Sequence, residues 1–458
     1  MNTIPLKSCF AILCALALSG SIHARQPMIR QLENGLSVFI APRDENPIVS
    51  LQFSFRHGYA YTPSAELEGI AHFYEHMLFK ANSLTKSQPE FMRALGKMGA
   101  VDWNGTTGSE LVNYYLTIPA AEFENALRLY SAVFIDTAFD EIEIEREISV
   151  VSNEIEGNRK IPDRVLWRAI MDGLFPESYR TGHYETRQMR HFTRSDMIRE
   201  QERFYVPDNC LLSVCGAVDE TEALMLIERY FGRWNRGQNR AEVQPLLLRA
   251  DTSSIRILPG NTNPGMASLV LAWHGPAALL NRRETLAADV LTELLSEKSG
   301  AYLPGLVRQS ALFSIDTTLF SFYTGRAASE FVFQGDIAVT NADTLMADAE
   351  TAHIRLSGIL EDIANGRHAI TDEDIRRIAQ KNRNGLIFRH EKPSTYLRDL
   401  GWCWSTADIA YFLDYTQGLA SINAGDIQNL AARWLRQAGL ALLWVHDSVA
   451  PRLAGGAE

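Results

Sequence analysis

Cysteine is scarce in this chain, at five among 458 residues, and that excludes a disulfide framework as the source of its stability. Two of the five, Cys9 and Cys14, lie in an apolar N-terminal stretch, which leaves Cys210, Cys215 and Cys403 for the folded part. Cys210 and Cys215 belong to the apolar run 210–215, and an odd separation along a strand turns them to opposite faces. They read as buried small hydrophobes rather than as a bridge or a metal pair. Clustered Lys and Arg are missing too: 44 basic against 55 acidic residues give a formal net charge of −11. Without a basic run nucleic acid is excluded as a partner. No stretch after the N-terminus reaches the ~20 apolar residues of a membrane span, so no transmembrane anchor is expected. What remains is a chain 46% hydrophobic, long enough for two to four packed units.

Residues 1–24 read as a cleaved secretory signal. Lys7 supplies the positive start, 9–18 is an apolar core too short to cross a bilayer, and Ile22-His23-Ala24 offers a small residue for cleavage. Export combined with so few cysteines fits a bacterial periplasm better than a eukaryotic exterior.

Beyond the signal, 36–41 and 48–55 are expected as strands joined by the polar turn 42–47, a hairpin that opens the domain. Apolar spacing of three and four predicts helices at 67–82, 90–98, 120–134 and 141–157, with a strand at 112–118. A helix at 194–204, a strand at 211–215 and a helix at 220–231 follow. Polar, aperiodic sequence at 234–249 reads as a linker. Behind it come strands at 254–258 and 267–273, a helix at 283–295, strands at 313–320 and 330–334, and helices at 344–364 and 372–388. That order repeats the first half in outline and points to duplication. The expected division is therefore signal 1–24, first domain 25–240 and second domain 250–449.

Histidine is rare, with 11 in the chain, yet two fall in His72-Phe73-Tyr74-Glu75-His76. On a helix i and i+4 share a face, so His72 and His76 can offer ring nitrogens to one ion, and Glu75 lies on the same side. Imidazole suits zinc, whose catalytic sites take three protein ligands and keep one position open. Glu75 is placed to act as general base. A chance H-x-x-E-H string in so histidine-poor a chain is expected on the order of once in a hundred, and the neighbours Ile70, Phe73, Leu78 and Phe79 bury this helix rather than leave it on the surface. The third ligand is expected from 141–157, where Glu147 and Glu154 are seven residues apart on one face with Val150 and Val151 between them. Carboxylates on an apolar face have partners. Glu154 is read as the ligand and Glu147 as the carboxylate that orients a histidine.

These residues resemble the pitrilysin/insulinase family of zinc peptidases, in which H-x-x-E-H is followed about 75 to 80 residues later by a ligand Glu within an E-x6-E pair. Glu147-Ile-Ser-Val-Val-Ser-Asn-Glu154 lies at that distance from His76. The match extends to Glu33-Asn34-Gly35-Leu36-Ser37-Val38, to 204–209 and to 216–219. The resemblance implies an α+β fold of two homologous domains, each a mainly antiparallel sheet with helices packed on one side. It implies one Zn2+ per chain and hydrolysis of short or unfolded peptides. The family's substrate-binding edge strand falls on Asn104, Gly105 and Thr106, followed by Thr107, with glycine where the family has alanine. Such a strand binds peptide through main-chain groups.

The second half departs from the family. Active members carry an Arg-x6-Tyr pair there, whereas ungapped alignment of 306–312 places Val307 and Ser314 at those positions; a one-residue deletion would leave Arg308 in the arginine's place. The helix 283–295 has no histidine. The expectation is therefore a zinc-dependent endopeptidase acting as the metal-bearing subunit of a heterodimer, its paralogous partner supplying the Arg/Tyr pair. The competing expectation is a non-catalytic binding or assembly subunit on the same fold.

Overall fold

The computed structural model describes residues 26–61, 67–158, 160–175, 191–237, 254–296, 319–367 and 370–454. The expected signal, the part of the linker after 237, and the segment with Val307, Arg308 and Ser314 lie outside these residues.

Strands β1 (Met28–Gln31), β2 (Ser37–Pro42), β3 (Ile48–Phe55), β4 (Val101–Thr107), β5 (Val112–Pro119) and β6 (Cys210–Gly216) form one sheet in the order β1-β2-β6-β3-β5-β4. Strands β7 (Arg256–Gly260), β8 (Met266–Gly275), β9 (Leu319–Tyr323), β10 (Ser329–Ala338) and β11 (Leu440–His446) form a second in the order β7-β11-β8-β10-β9. Apart from β1 the two orders coincide. In each, the first strand runs parallel to the last, β2 with β6 and β7 with β11, and the other pairings are antiparallel. The fold is α+β in two units, as the sequence implies. Among the described residues no helix is long and apolar enough to cross a membrane.

One expectation fails. β2 and β3 do not form a hairpin, because β6 lies between them, parallel to β2 and antiparallel to β3. All seven residues of β6 are buried, and a strand apolar on both faces belongs at a sheet's centre. The hairpin at this end is formed by β1 and β2 instead. The two cysteines of β6 do turn to opposite faces: Cys210 joins the main core, Cys215 a cluster on the other side, and both are unpaired.

Alternation along β3 sends Val49, Leu51, Phe53 and Phe55 into the core beneath the helices Ile70–Leu78 and Phe123–Ile135. Phe53 stacks on Tyr130 at 5.3 Å and packs on Phe134 at 4.8 Å. Ser50, Gln52 and Ser54 take the opposite face, which alternation alone would give to water. They are buried all the same. The helix Pro393–Thr406, from the far half of the chain, covers them, with Leu397, Leu400 and Trp404 against Phe39, Ala41, Leu211 and Cys215. Gly401 makes the approach possible, since a Cβ there would lie 2.1 Å from Gln52 Nε2 and 2.6 Å from Ser54 Oγ.

The second sheet is built reciprocally. Its inner face packs on the helices Arg282–Ser296 and Ala342–Ala364. Its outer face receives Leu166, Ile170, Met171 and Leu174 of the helix Pro162–Leu174, a first-half element, against Val270, Ala272, Leu440 and Leu442. Burying each such side chain is worth about 1.5–3 kcal/mol, so each half closes the other's sheet. Polar ties add to this. Arg56 donates to the carbonyls of Trp404 at 2.8 Å and Ala407 at 3.0 Å, and Glu110 accepts from Ala327 N at 3.0 Å.

Candidate metal centre

Packing fixes the rotation of the helix Ile70–Leu78 about its axis. Phe73, Tyr74, Met77 and Leu78 are fully buried; Tyr74 stacks on Tyr205 at 4.0 Å and Phe73 meets Phe192 at 5.2 Å. With that face inward, His72 and His76 emerge half-buried one turn apart, ring centroids 4.9 Å apart and nearly perpendicular. Facing them is the helix Glu141–Asn158, whose buried stripe is Ile144, Glu147 and Val151. Glu154 continues that stripe into solvent with its side chain 43% exposed. Val150 does not share the stripe as the sequence reading had it, being 51% exposed.

Four of the candidate residues come together here. His72 Nε2 is 3.7 Å from Glu154 Oε1, and His76 Nε2 is 3.4 Å from Glu154 Oε2. Among the described residues these three can hold a metal ion, one ligand atom from each lying within 4.8 Å of the others. Ligands about 2.0–2.1 Å from a tetrahedral zinc sit about 3.4 Å apart, so the side chains fit that ion. The other nitrogen of His76, Nδ1, lies 2.9 Å from Glu147 Oε1. That contact holds the ring with Nε2 toward Glu154, the usual way a carboxylate orients a ligand histidine. Lys80, one turn beyond His76 and buried, forms an ion pair with the other oxygen of Glu147 and donates to Gln88 Oε1 at 2.8 Å.

The charges are balanced within the cluster. Burial, and then the neighbouring His76, push His72 down to about 4, which keeps it neutral. Burial also disfavours charge on His76, but hydrogen bonds to Glu147 and Glu154 outweigh it and push the ring up to about 9. The hydrogen bond from His76 pulls Glu154 down to about 2 against its burial. Burial raises Glu147, yet His76 and Lys80 hold it below the ordinary carboxylate range. The two carboxylates are thus offset by the His76 proton and by Lys80, and a metal entering between His72, His76 and Glu154 displaces the proton of His76 Nε2 that faces Glu154.

Glu75 is buried beside this group, and burial raises it above its usual value while a hydrogen bond from Thr107 opposes the shift. Asn104, Gly105 and Thr106 lie on β4, the edge strand of the first sheet. Asn104 and Thr106 are exposed and Gly105 is buried against Glu75. Lys80 and the Thr107 hydroxyl are the contributors that sequence reasoning missed. Lys80 carried a signal, one turn along the histidine face; the Thr107 contact depends on tertiary pairing and carried none.

Both halves of the chain are similar to known proteins. The model of the family "Insulinase (Peptidase family M16)" matches residues 38–180, and that of "Peptidase M16 inactive domain" matches 191–382. An uncharacterized zinc protease of Rickettsia felis is 26% identical over 391 residues, covering 81% of this chain and 86% of that protein. An insulin-degrading enzyme homolog of Dictyostelium discoideum is 26% identical over 310 residues, covering 64% of this chain but spanning 31% of that longer protein. Among solved structures a protease from Helicobacter pylori superposes with a TM-score of 0.76 at 19% identity, over 92% of this chain and 99% of that one. With both halves matched in order and the fold shared along nearly the whole length, this chain belongs to the insulinase family of peptidases, M16.

Proposed function

We propose that this chain is a zinc-dependent endopeptidase that hydrolyses short or unfolded peptides, with His72, His76 and Glu154 holding the metal. The observation that carries the reading is the convergence of those three side chains, with Glu75 buried beside them. When bound, zinc supplies Lewis acidity toward the scissile carbonyl and a lowered pKa for water at the open position. The protein's own groups do the rest. Glu75 takes the proton of the attacking water and returns it to the leaving amine. Glu147, braced by Lys80, keeps His76 turned toward Glu154. The edge strand β4, through Asn104, Gly105 and Thr106, offers main-chain groups for a peptide to add as a further strand.

The chain works as the metal-bearing half of a heterodimer, exported by its signal to the periplasm, with a paralogous subunit supplying the Arg/Tyr pair absent in register at 307 and 314. Val307 and Ser314 at those places support this. They also favour a second reading, a non-catalytic assembly subunit on the same fold. Glu75→Gln in the protein co-purified with its partner separates the two. Peptide cleavage should fall about 10²–10⁴-fold with the metal retained; cleavage that survives the substitution removes Glu75 as the base.

A further inference from the structure

Glu75 stands on the helix Ile70–Leu78, but its carboxylate is held by a different element. Thr107 Oγ1 donates to Glu75 Oε2 at 2.6 Å. A Cβ on Gly105 would lie 2.9 Å from Glu75 Cγ and 3.0 Å from Oε1. The carboxyl group thus rests against the backbone of β4, closed on one side by the strand and tied at one oxygen by a hydroxyl. Oε1 stays clear of that tie.

A register defect brings these two residues to the helix. The pairing of β4 with β5 shifts between Val101 and Asn104, and there Asp102 takes the left-handed φ of 48°. Past the shift Gly105 and Thr107 pair with Tyr114 and Val112, both in the main core on the helix-covered face. Asn104 and Thr106 pair with Tyr115 and Asn113 and take the other face. One extra residue in a strand reverses which side chains face which way. Without it Asn104 and Thr106 would point at the helix, and neither a hydroxyl at 107 nor the bare backbone at 105 would reach Glu75.

We infer that Thr107 is the positioning residue of the Glu75 carboxylate, so that β4 both presents an edge to the peptide and aims the base. This rests on the reading of Glu75 as base. Without the hydroxyl the hydrogen bond that sets the rotation of the carboxylate against β4 is lost. A displacement of about 1 Å at a reacting group costs up to about 10²-fold in rate.

The test uses Thr107→Val and Thr107→Ser in the zinc-loaded protein with its partner subunit, assayed on an internally quenched peptide. For Thr107→Val, kcat should fall about 10- to 100-fold, with KM nearly unchanged and the zinc content intact, and Thr107→Ser should recover most of the loss. An unchanged kcat, a rise in KM with kcat kept, or a serine variant as poor as valine overturns the inference. Glu75→Gln run alongside separates the two levels: if it cleaves peptide, the base reading fails whatever Thr107 does. A crystal structure of zinc-loaded Thr107→Val gives a readout that needs no turnover. The Glu75 carboxylate should move by about 1 Å or more from its place in the unsubstituted protein, and an unmoved carboxylate refutes the positioning role.

Discussion

The same helix does different work in the two halves of this chain. After β3 the helix Ile70–Leu78 turns two imidazoles toward the helix Glu141–Asn158, which answers with Glu147 and Glu154. After β8 the corresponding helix Arg282–Ser296 meets Asp372–Arg389 through an ion pair of Glu293 with Lys381 and carries no histidine. Deeper in, its Asp289 accepts a hydrogen bond from Tyr415 Oη at 2.9 Å. Burial pushes that carboxyl up to about 7, whereas cationic neighbours hold Glu154 and Glu147 below the ordinary range. The shared strand order therefore fixes where a site can stand, and the side chains between two helices decide whether groups that could hold a metal meet there.

The comparison sharpens most where the first half is altered. Glu147→Gln should weaken zinc binding about 10–100-fold, read by competition with a chelator, and Glu154→Gln should weaken it further because the ligand itself loses its negative charge. Equal affinities for the two variants would break the distinction between ligand and orienting carboxylate. Next in size is the seam between the halves. Gly401→Ala places a methyl against the buried, hydrogen-bonded pair of Gln52 and Ser54, and overpacking there should cost about 1–3 kcal/mol in denaturant unfolding. The smallest effect belongs to the second half. Asp289 has its carboxyl raised from 3.8 to about 7, so its contribution to stability is full below the unfolded value and is lost as pH rises to about 7. Asp289→Asn should therefore lose less thermal stability than the unsubstituted chain between pH 5 and pH 8. Parallel pH profiles would show that the buried carboxyl is not held protonated.

Much of the candidate metal centre was legible in sequence because its parts depend on helical spacing. His72 and His76 at i and i+4, and Glu147 and Glu154 at i and i+7, each share one face of their own helix, whereas the meeting of those two faces is set by the tertiary fold. Most strands were legible too, though β1 and β11 were not among those expected, and pairing was not legible. The expected hairpin of β2 and β3 failed because their common neighbour β6 comes from residues 210–216, and local pattern says nothing about a strand so distant. Ser50, Gln52 and Ser54 show the same limit, since their polar alternation fits a wet face that Pro393–Thr406 covers. The Thr107 contact was hidden for a related reason, because a one-residue bulge decides which side chain meets Glu75.

Elemental zinc analysis tests the central claim most directly, applied to the unsubstituted chain, to His72→Ala/His76→Ala, and to Asp289→Asn. The expected result is about one zinc per chain, lost with the two histidines and kept without Asp289; two zincs per chain, or one that survives loss of both histidines, would contradict it.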